Sequence, residues 1–562
     1  MSGVLAHPAL ALFVGAALVA VLKGRLRSTV ALAAPLAALA LVLRAGDGVH
    51  AVWTFAGAEL VPFAADPLSR LFGIIFAIMA FGGALFGLDQ PRRVEMPAAL
   101  LYAGAALGVA FAGDLVTVFL FWELMAVGST LVIWSVATAE AYRASLRYLM
   151  VHLAGGTVLL LGVAVHYVAS GTLAFRAFDA GSPGYWLILA GFLVNAGAPP
   201  LSAWVADAYP EASFSGTVFL SAFTTKIAVY ALLRGFAGEP LLVWMGLYMV
   251  FYGIVYALLE NDMRRILAYS IVNQVGFMVT GIGIGTAMAL NGTAAHAFTH
   301  ILYKGLLLMS AGAVLHATGR RKCSELGGLF RSMPVTTLCG IVGALAISSF
   351  PLTSGFVSKS MISQAAGDEH LVWVWLALAA ASAGVFLHAG IKFPWFVFFQ
   401  KDSGLRPPDP PLNMRLAMIL FAALCLALGV WYEPLYALLP FPADYVPYTG
   451  WHVVGQLQLL LFSGLAFFAL LPLLKRTPTI TLDVDWLYRR ALPAIVAAAE
   501  RSRRVVARGW HAGWSSAVEG VAAHVHRTHG PEGIMARTWS VRSMGLWMLA
   551  LLLGLLLIGF AA

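Results

Sequence analysis

Charge is what this 562-residue chain has least of: 11% of its residues are Asp, Glu, Lys or Arg, against about 25% in soluble domains. Hydrophobic residues make up 60%, and mean hydropathy is +0.85 over the whole length, so the deficit is not the work of one local anchor. A soluble enzyme, a disordered scaffold and a nucleic-acid binder are excluded as the main body. Cysteine is scarce too. Cys323, Cys339 and Cys425 lie far apart with no Cys-x-x-Cys pair, which argues against iron–sulfur or zinc ligation and leaves disulfides without a role. No P-loop is present, so ATP hydrolysis in this chain drives nothing. The glycines at 281, 283 and 285 sit in an apolar segment with no strand before them, a poor dinucleotide fingerprint. No cofactor is expected. The first apolar stretch lacks a basic start and is followed at once by more hydrophobic segments, so it reads as a retained helix rather than a signal peptide.

What the chain does have is a series of apolar segments near the roughly 20 residues that a bilayer crossing needs. They fall near 3–22, 28–45, 68–88, 97–112, 114–136, 145–170, 185–208, 213–234, 240–259, 264–286, 292–317, 334–366, 372–400, 414–436, 452–474 and 543–561. The expected fold class is therefore an all-α polytopic membrane protein with about 16 transmembrane helices. Segment 334–366 is too long for one straight helix and is interrupted at Ser348-Ser349-Phe350-Pro351-Leu352-Thr353-Ser354-Gly355, so it counts as one broken crossing. Segment 185–208 is interrupted in the same way at Ala198-Pro199-Pro200.

Charge placement supports that count. Alternating crossings put sixteen Lys and Arg, from Lys23 to Arg415, on one side and only Arg44, Arg70, Arg176 and Arg234 on the other. Such a bias marks the cytoplasmic side and predicts an N-terminus outside. Residues 475–542 depart from the rest, with eleven Lys and Arg against five Asp and Glu. Trp510, Trp514, Val518, Val521 and Val525 repeat there at helical spacing, with Arg501, Arg503, Arg504 and Arg508 nearby. This is the pattern of an amphipathic helix lying along the membrane surface and gripping neighbouring subunits, or of a basic tail that only touches anionic lipid. His-Gly-Pro-Glu-Gly at 529–533 ends it before the last crossing. His524, His526 and His529 read as interfacial histidines rather than zinc ligands.

Outside the loops and this tail, four basic residues remain, and all are lysine: Lys226, Lys304, Lys359 and Lys392. Arginine stays protonated at any relevant pH, whereas a buried lysine can release its proton. One acidic residue, Glu123, falls mid-helix. A charge at bilayer depth costs ~2.5–3.5 kcal/mol even on lenient insertion scales, so five such residues are hard to explain as packing. His296, His300 and Lys304 follow i, i+4, i+8 and line one stripe of a helix; His388 and Lys392 repeat the i, i+4 pairing on another. Histidine titrates near neutral pH, which makes each stripe a proton-wire candidate. A metal at His296 and His300 is the rival reading, but no third ligand is visible and Lys304 would repel the ion. Lys392 has the alternative of snorkelling toward the cytoplasmic end of its helix, and Lys359, just after a helix break, of satisfying loose carbonyls. An ion-conducting membrane protein follows from these residues alone.

The same residues also resemble a known family. Phe121-Trp122-Glu123-Leu124-Met125, Pro200-Leu201-Ser202-Ala203-Trp204 with Asp207-Ala208-Tyr209-Pro210, and His296-Ala297-Phe298-Thr299-His300-Ile301-Leu302-Tyr303-Lys304 are similar to the antiporter-like subunits shared by respiratory complex I and Mrp-type cation/proton antiporters. Asn261-Asp262-Met263-Arg264-Arg265-Ile266-Leu267-Ala268-Tyr269-Ser270 and Ser354-Gly355-Phe356-Val357-Ser358-Lys359 match as well. The similarity runs from about residue 60 to 400, with the D-type branch of the Mrp subunits nearest in pattern.

The resemblance implies two inverted five-helix repeats, each with one broken helix and a half-channel. It divides the chain into N-terminal crossings (1–96), a first repeat (97–259), a second repeat (260–400), C-terminal crossings (401–474), the surface helix (475–542) and a final crossing (543–562). It assigns Glu123 as the paired glutamate, Lys226 as a bridging lysine, His300 and Lys304 as central relay groups, and Lys359 as the broken-helix lysine of the second repeat. It further implies an inner (plasma) membrane location, no enzymatic activity in this chain, and other membrane subunits as partners. H⁺ and Na⁺ or K⁺ are the candidate ions, and there is no nucleic acid.

One position departs. Where the family has a lysine in its first broken helix, this chain has Asn195, and where it often has histidine after Pro-Leu, this chain has Ser202. Glu123 thus loses its expected cationic partner. Beside the proton-translocating reading stand two others: a proton-coupled partner of an inorganic-carbon uptake complex, and a structural subunit whose first channel is vestigial.

Overall fold

A computed structural model describes residues 6–55, 57–473, 483–537 and 540–561. Residues 3–5 of the first apolar segment and 475–482 of the basic tail lie outside the described residues. The chain divides into two compact units, Met1–Asp485 and Trp486–Ala562.

The first unit opens with α1 (Pro8–Val21) and α2 (Gly24–Arg44), followed by a two-stranded antiparallel hairpin, β1 (Gly48–Phe55) and β2 (Ala58–Ala65), with Gly48 opposite Ala65 and Phe55 opposite Ala58. This hairpin is an addition to the helical reading of the sequence. It is tied to the bundle by Asp114, whose carboxylate accepts from Val61 N at 2.8 Å. Then come α3 (Pro67–Phe86), α4 (Glu95–Ala110), α5 (Leu115–Trp134), α6 (Ala139–Ser170), α7 (Tyr185–Ala196), α8 (Trp204–Ala208), α9 (Gly216–Leu220), α10 (Thr224–Gly235), α11 (Pro240–Leu259), α12 (Met263–Ile284) and α13 (Ala287–Thr318). The unit continues through α14 (Pro334–Ile347), α15 (Ser354–Asp368), α16 (Val372–Val385), π-helical turns over 386–392 and 395–399, α17 (Leu412–Val430), α18 (Glu433–Tyr436) and α19 (Gly450–Ala469).

Starts and stops follow local chemistry. Asp66 and Ser69 form a reciprocal capping box at α3, both bonds at 2.8 Å, and Asp114, Thr138, Asp262 and Thr286 cap α5, α6, α12 and α13. Among the described residues twelve helical stretches are long and apolar enough to cross a bilayer, with Gly216–Gly235 (α9 and α10) and Val372–Phe399 (α16 and the π-helical turns) each taken as one, while Pro8–Val21, Glu95–Ala110, Tyr185–Ala196 and Pro334–Ile347 are shorter apolar helices. The chain is a multi-pass membrane protein.

Both interruptions read from the sequence are present. α7 ends at Gly197, whose φ of +74° suits glycine, and Pro199 and Pro200 follow, which cannot continue the helical hydrogen bonding. Between α14 and α15, Ser349 (φ +57°) and Leu352 (φ +68°) take left-handed backbone around Pro351. A third interruption, Ser221–Phe223 between α9 and α10, carries neither Pro nor Gly, and nothing in the sequence signals it.

The core centres on α12 and α13, whose residues are buried nearly all round, as for helices enclosed by others. α11 packs on α12 almost backbone to backbone. A β-carbon at Gly253 would lie 2.6 Å from the Tyr269 carbonyl oxygen, and one at Gly276 would lie 2.6 Å from that of Gly246.

The second unit consists of a π-helical turn (487–491), α20 (Leu492–His529) and α21 (Val541–Ala561). At 38 residues, α20 is ~57 Å long. Trp510, Trp514, Val518, Val521 and Val525 lie exposed along it, as do nearly all residues on its other faces.

Candidate functional site

Seven of the buried ionisable residues lie on α10, α13, α15 and the π-helical segment of the first unit. α13 presents His296, His300 and Lys304 on a single stripe, all fully buried. His296 Nε2 lies 3.1 Å from Gln274 Oε1 on α12, and its Nδ1 lies 3.3 Å from Ser358 Oγ on α15. The Tyr303 hydroxyl donates to the same Gln274 oxygen at 3.1 Å, and Thr299 Oγ1 is 2.7 Å from Ser358 Oγ. One helical turn beyond His300, Lys304 Nζ donates to Ser270 Oγ at 2.8 Å.

Lys226 enters from α10. Its Nζ donates to the Ser221 carbonyl at 2.6 Å and to Thr225 Oγ1 at 3.0 Å. The lysine thus satisfies a carbonyl in the interruption between α9 and α10.

Lys359 follows the second interruption on α15. Its Nζ has no hydrogen-bond partner among the described residues and sits over the Phe277 ring, 5.2 Å from the centroid. The carbonyl-satisfying alternative does not describe it. Lys392 does fit such a role. Its Nζ donates to the carbonyls of Ala257, Leu258 and Glu260 at 3.0, 2.6 and 2.6 Å, at the C-terminal end of α11. The sequence spacing puts His388 and Lys392 four apart on one α-helical face. The backbone there is π-helical instead, so the regular four-residue register is lost. His388 Nδ1 is held by the Gly384 carbonyl at 2.8 Å, and Nε2 is left without a partner among the described residues.

The first half of the molecule is arranged differently. Glu123 on α5 points at α6, where the absence of a side chain at Gly156 leaves room for its carboxylate. Glu123 Oε1 and both polar side-chain atoms of Asn195, at the end of α7, are buried without partners among the described residues. Trp122 packs on Phe192 with ring centroids 5.1 Å apart, which brings the α5 and α7 segments carrying Glu123 and Asn195 together. Ser202 Oγ, just past the break, is likewise unpartnered. Buried polar atoms are almost always satisfied, by protein or by ordered water. Glu123, Asn195, Ser202, His300, Lys359 and His388 each present at least one buried polar atom that no protein group among the described residues satisfies.

Sequence reasoning passes over the uncharged partners of the lysines and histidines: Gln274, Ser270, Tyr303, Ser358 and Thr225. A polar pair such as Asn273-Gln274 in the middle of an apolar helix is the available signal. It also passes over His152 on α6, fully buried and stacked on Tyr148 with ring centroids 3.9 Å apart. No three His, Cys, Asp or Glu residues among the described residues are placed to hold a metal ion.

The helices and their ionisable interior define the class first: a polytopic membrane protein with lysine and histidine buried along its centre. Residues 112–385 match the family described as NADH:quinone oxidoreductase/Mrp antiporter, TM. The chain is 31% identical over 357 residues to NADH-quinone oxidoreductase subunit N of Desulforudis audaxviator (strain MP104C), covering 58% of this chain and 70% of that protein. It is 27% identical over 390 residues to the D-type subunit of the Na(+)/H(+) antiporter of Alkalihalophilus pseudofirmus, 66% of this chain and 78% of that one. In fold it matches a chain of the membrane-bound sulfane sulfur reductase, an archaeal respiratory membrane complex, with a TM-score of 0.71 and 24% identity over 98% of this chain and 99% of the other. The chain spans 64% of the length of an uncharacterised Mycobacterium tuberculosis protein (strain H37Rv) to which it is 30% identical. The protein belongs to the NADH:quinone oxidoreductase/Mrp antiporter transmembrane family.

Proposed function

We propose that this chain is a proton-translocating subunit of a multisubunit membrane complex, with Na⁺ or K⁺ as candidate exchange ions. One observation carries the reading: Lys226, His300, Lys304, His296, Lys359, His388 and Lys392 are all buried on α10, α13, α15 and the π-helical segment, with His296 linked to α12 through Gln274 and to α15 through Ser358. Lysine amines that alternate between charged and neutral can hand protons along such a path. A relative named as a Na(+)/H(+) antiporter subunit and another named as a quinone oxidoreductase subunit support the same reading.

In this proposal 97–259 and 260–400 form the two inverted repeats, each holding a half-channel, within about 16 crossings. Glu123 biases the first half-channel; Lys359 and the α13 stripe serve the second. The chain transports ions and carries no redox chemistry of its own, so any electron transfer belongs to partner chains. The charge bias supports a plasma membrane location with the N-terminus outside. A second reading, a vestigial first half-channel, is favoured by Asn195 alone.

The deciding experiment replaces Lys304 or Lys359 by alanine and measures cation/proton exchange in everted vesicles. Exchange should vanish while the complex still assembles. Normal exchange rates in both variants would remove the relay.

A further inference from the structure

Glu95, the first residue of α4, is 2% exposed, yet no Lys or Arg side chain hydrogen-bonds its carboxylate among the described residues. Hydroxyls and an amide hold it instead. Oε1 accepts from Ser213 Oγ at 2.8 Å, from Gln90 Nε2 at 3.3 Å and from Ser215 Oγ, and Oε2 accepts from Ser135 Oγ at 3.3 Å. The charged groups facing this cage are Arg92, from the preceding loop, and Arg264 on α12, whose guanidinium donates to the Ser213 carbonyl at 2.7 Å and the Ala212 carbonyl at 2.8 Å. Arg93 and Val94, immediately before Glu95, are exposed, so the cage lies just behind the surface.

A serine hydroxyl both donates and accepts, which a lysine or arginine cannot do. The ring around Glu95 can therefore pass a proton by reorienting, where an ion pair would only fix the charge.

A second hydroxyl cluster lies deeper on the same helix face. Tyr102 is seven residues on from Glu95, two turns or ~10 Å along α4. The positions between them on that face are Ala98 and Ala99, both buried. Tyr102 Oη lies 2.6 Å from Thr224 Oγ1, and Tyr148 Oη lies 3.1 Å from the same atom. Thr225, the chain neighbour of Thr224, is the residue whose hydroxyl accepts from Lys226 Nζ. The ~10 Å faced by alanine is nearly four hydrogen bonds of ~2.8 Å, so the relay requires a short water chain past Ala98 and Ala99.

We propose that Glu95 is the proton-accepting mouth of a hydroxyl relay that runs through Ser213 and Ser215, Tyr102 and Thr224 to Lys226, bypassing Glu123 and Asn195. The inference rests on the proton-translocating reading and deepens it. The Glu95 carboxylate takes a proton from solution at loop 91–94 and becomes a carboxylic acid. The acid donates to a serine or water. Each hydroxyl along the way releases its own proton forward as it accepts one from behind, and the last proton converts a neutral Lys226 amine to ammonium. Glu95 returns to carboxylate. The first half of the molecule then has a working entrance even though Asn195 cannot carry a proton.

The test uses the whole complex reconstituted in proteoliposomes, with proton flux measured against pH for Glu95→Gln, Glu95→Asp and Tyr102→Phe beside Lys304→Ala and Lys359→Ala. Glu95→Gln should lower flux at least tenfold and change the pH profile, Glu95→Asp should retain most of the flux, and Tyr102→Phe should lower it severalfold. Wild-type flux and an unchanged pH profile in Glu95→Gln overturn the relay, and loss of flux in Lys304→Ala then leaves the broader reading standing. Should Glu95→Gln fail to assemble, Tyr102→Phe and Ser213→Ala decide, and wild-type flux in both overturns the proposal. Unimpaired flux in Lys304→Ala, together with unimpaired flux in Lys359→Ala, overturns the lysine relay on which the translocation reading rests.

Discussion

The Glu123 carboxylate occupies the space that a side chain at Gly156 would fill: a β-carbon built there would overlap Glu123 Oε1. The two residues belong to neighbouring helices, and the absence of one side chain is what lets the other point inward. Gly156→Ala should therefore push the carboxylate out of its seat while leaving the helix intact, since alanine is the better helix former. We expect a drop in exchange of about tenfold, the equivalent of ~1.4 kcal/mol in a barrier, with complex assembly unchanged. Exchange rates equal to wild type would show that the position of Glu123 is immaterial.

Asn195 is the subject of the second prediction. Asparagine offers a carbonyl oxygen, a hard ligand suited to Na⁺ or water, but cannot carry a proton. Asn195→Lys should restore a cationic partner for Glu123, raise proton coupling, and reduce the dependence of flux on Na⁺ or K⁺. Flux is to be measured against cation concentration in reconstituted complex. Superimposed curves for variant and wild type would favour the vestigial reading of the first half-channel.

Much of this arrangement is legible in the sequence, for a physical reason. Lysine and glutamate at bilayer depth are so costly that Lys226, Lys304, Lys359 and Glu123 stand out against an apolar background. The Pro-containing interruptions announce themselves as well. Glu95 does not, because a carboxylate in the first turn of a helix reads as ordinary complement to the helix dipole. Only the tertiary structure closes Ser135, Ser213 and Ser215 around it. The break at Ser221–Phe223 is equally silent: Ser-Ala-Phe carries no breaker, and the conformation is supported by a lysine amine five residues on. The hairpin at 48–65 falls between two helical segments, and β1 is exposed at all but one position, so it shows no buried alternation to read.

The third prediction concerns an ion pair that fixes the first broken helix. Arg147 on α6 grips Asp207 on α8 with two parallel bonds, Nε and Nη2 at 2.7 and 2.8 Å. Asp207 is 6% exposed. Removing one partner of a buried pair costs about 3–5 kcal/mol, because the other charge is left uncompensated. Asp207→Ala should lower the thermal unfolding temperature of the detergent-solubilised complex, and Arg147→Ala with Asp207→Ala together should cost less than the sum of the two. Strict additivity would show that the pair is not coupled.

The fourth prediction takes the surface helix. Deleting 486–526 removes most of α20 and its exposed Trp510 and Trp514. If this helix braces partner subunits, the deletion should weaken their association, read on native gels, before it affects the folding of the channel helices. An intact complex after the deletion would remove the brace from consideration.

Lys392 holds three carbonyls with the three hydrogens of an ammonium group, those of Ala257, Leu258 and Glu260. A neutral amine has only two hydrogens to give. Each time this lysine surrendered its proton, one carbonyl at the end of α11 would lose its donor, and the turn that leads into Asp262 and the start of α12 would lose a fastening. Proton occupancy at one nitrogen is in this way written into the tightness of a helix junction, beside the Glu260–Arg265 pair that spans the same turn at 2.9 Å.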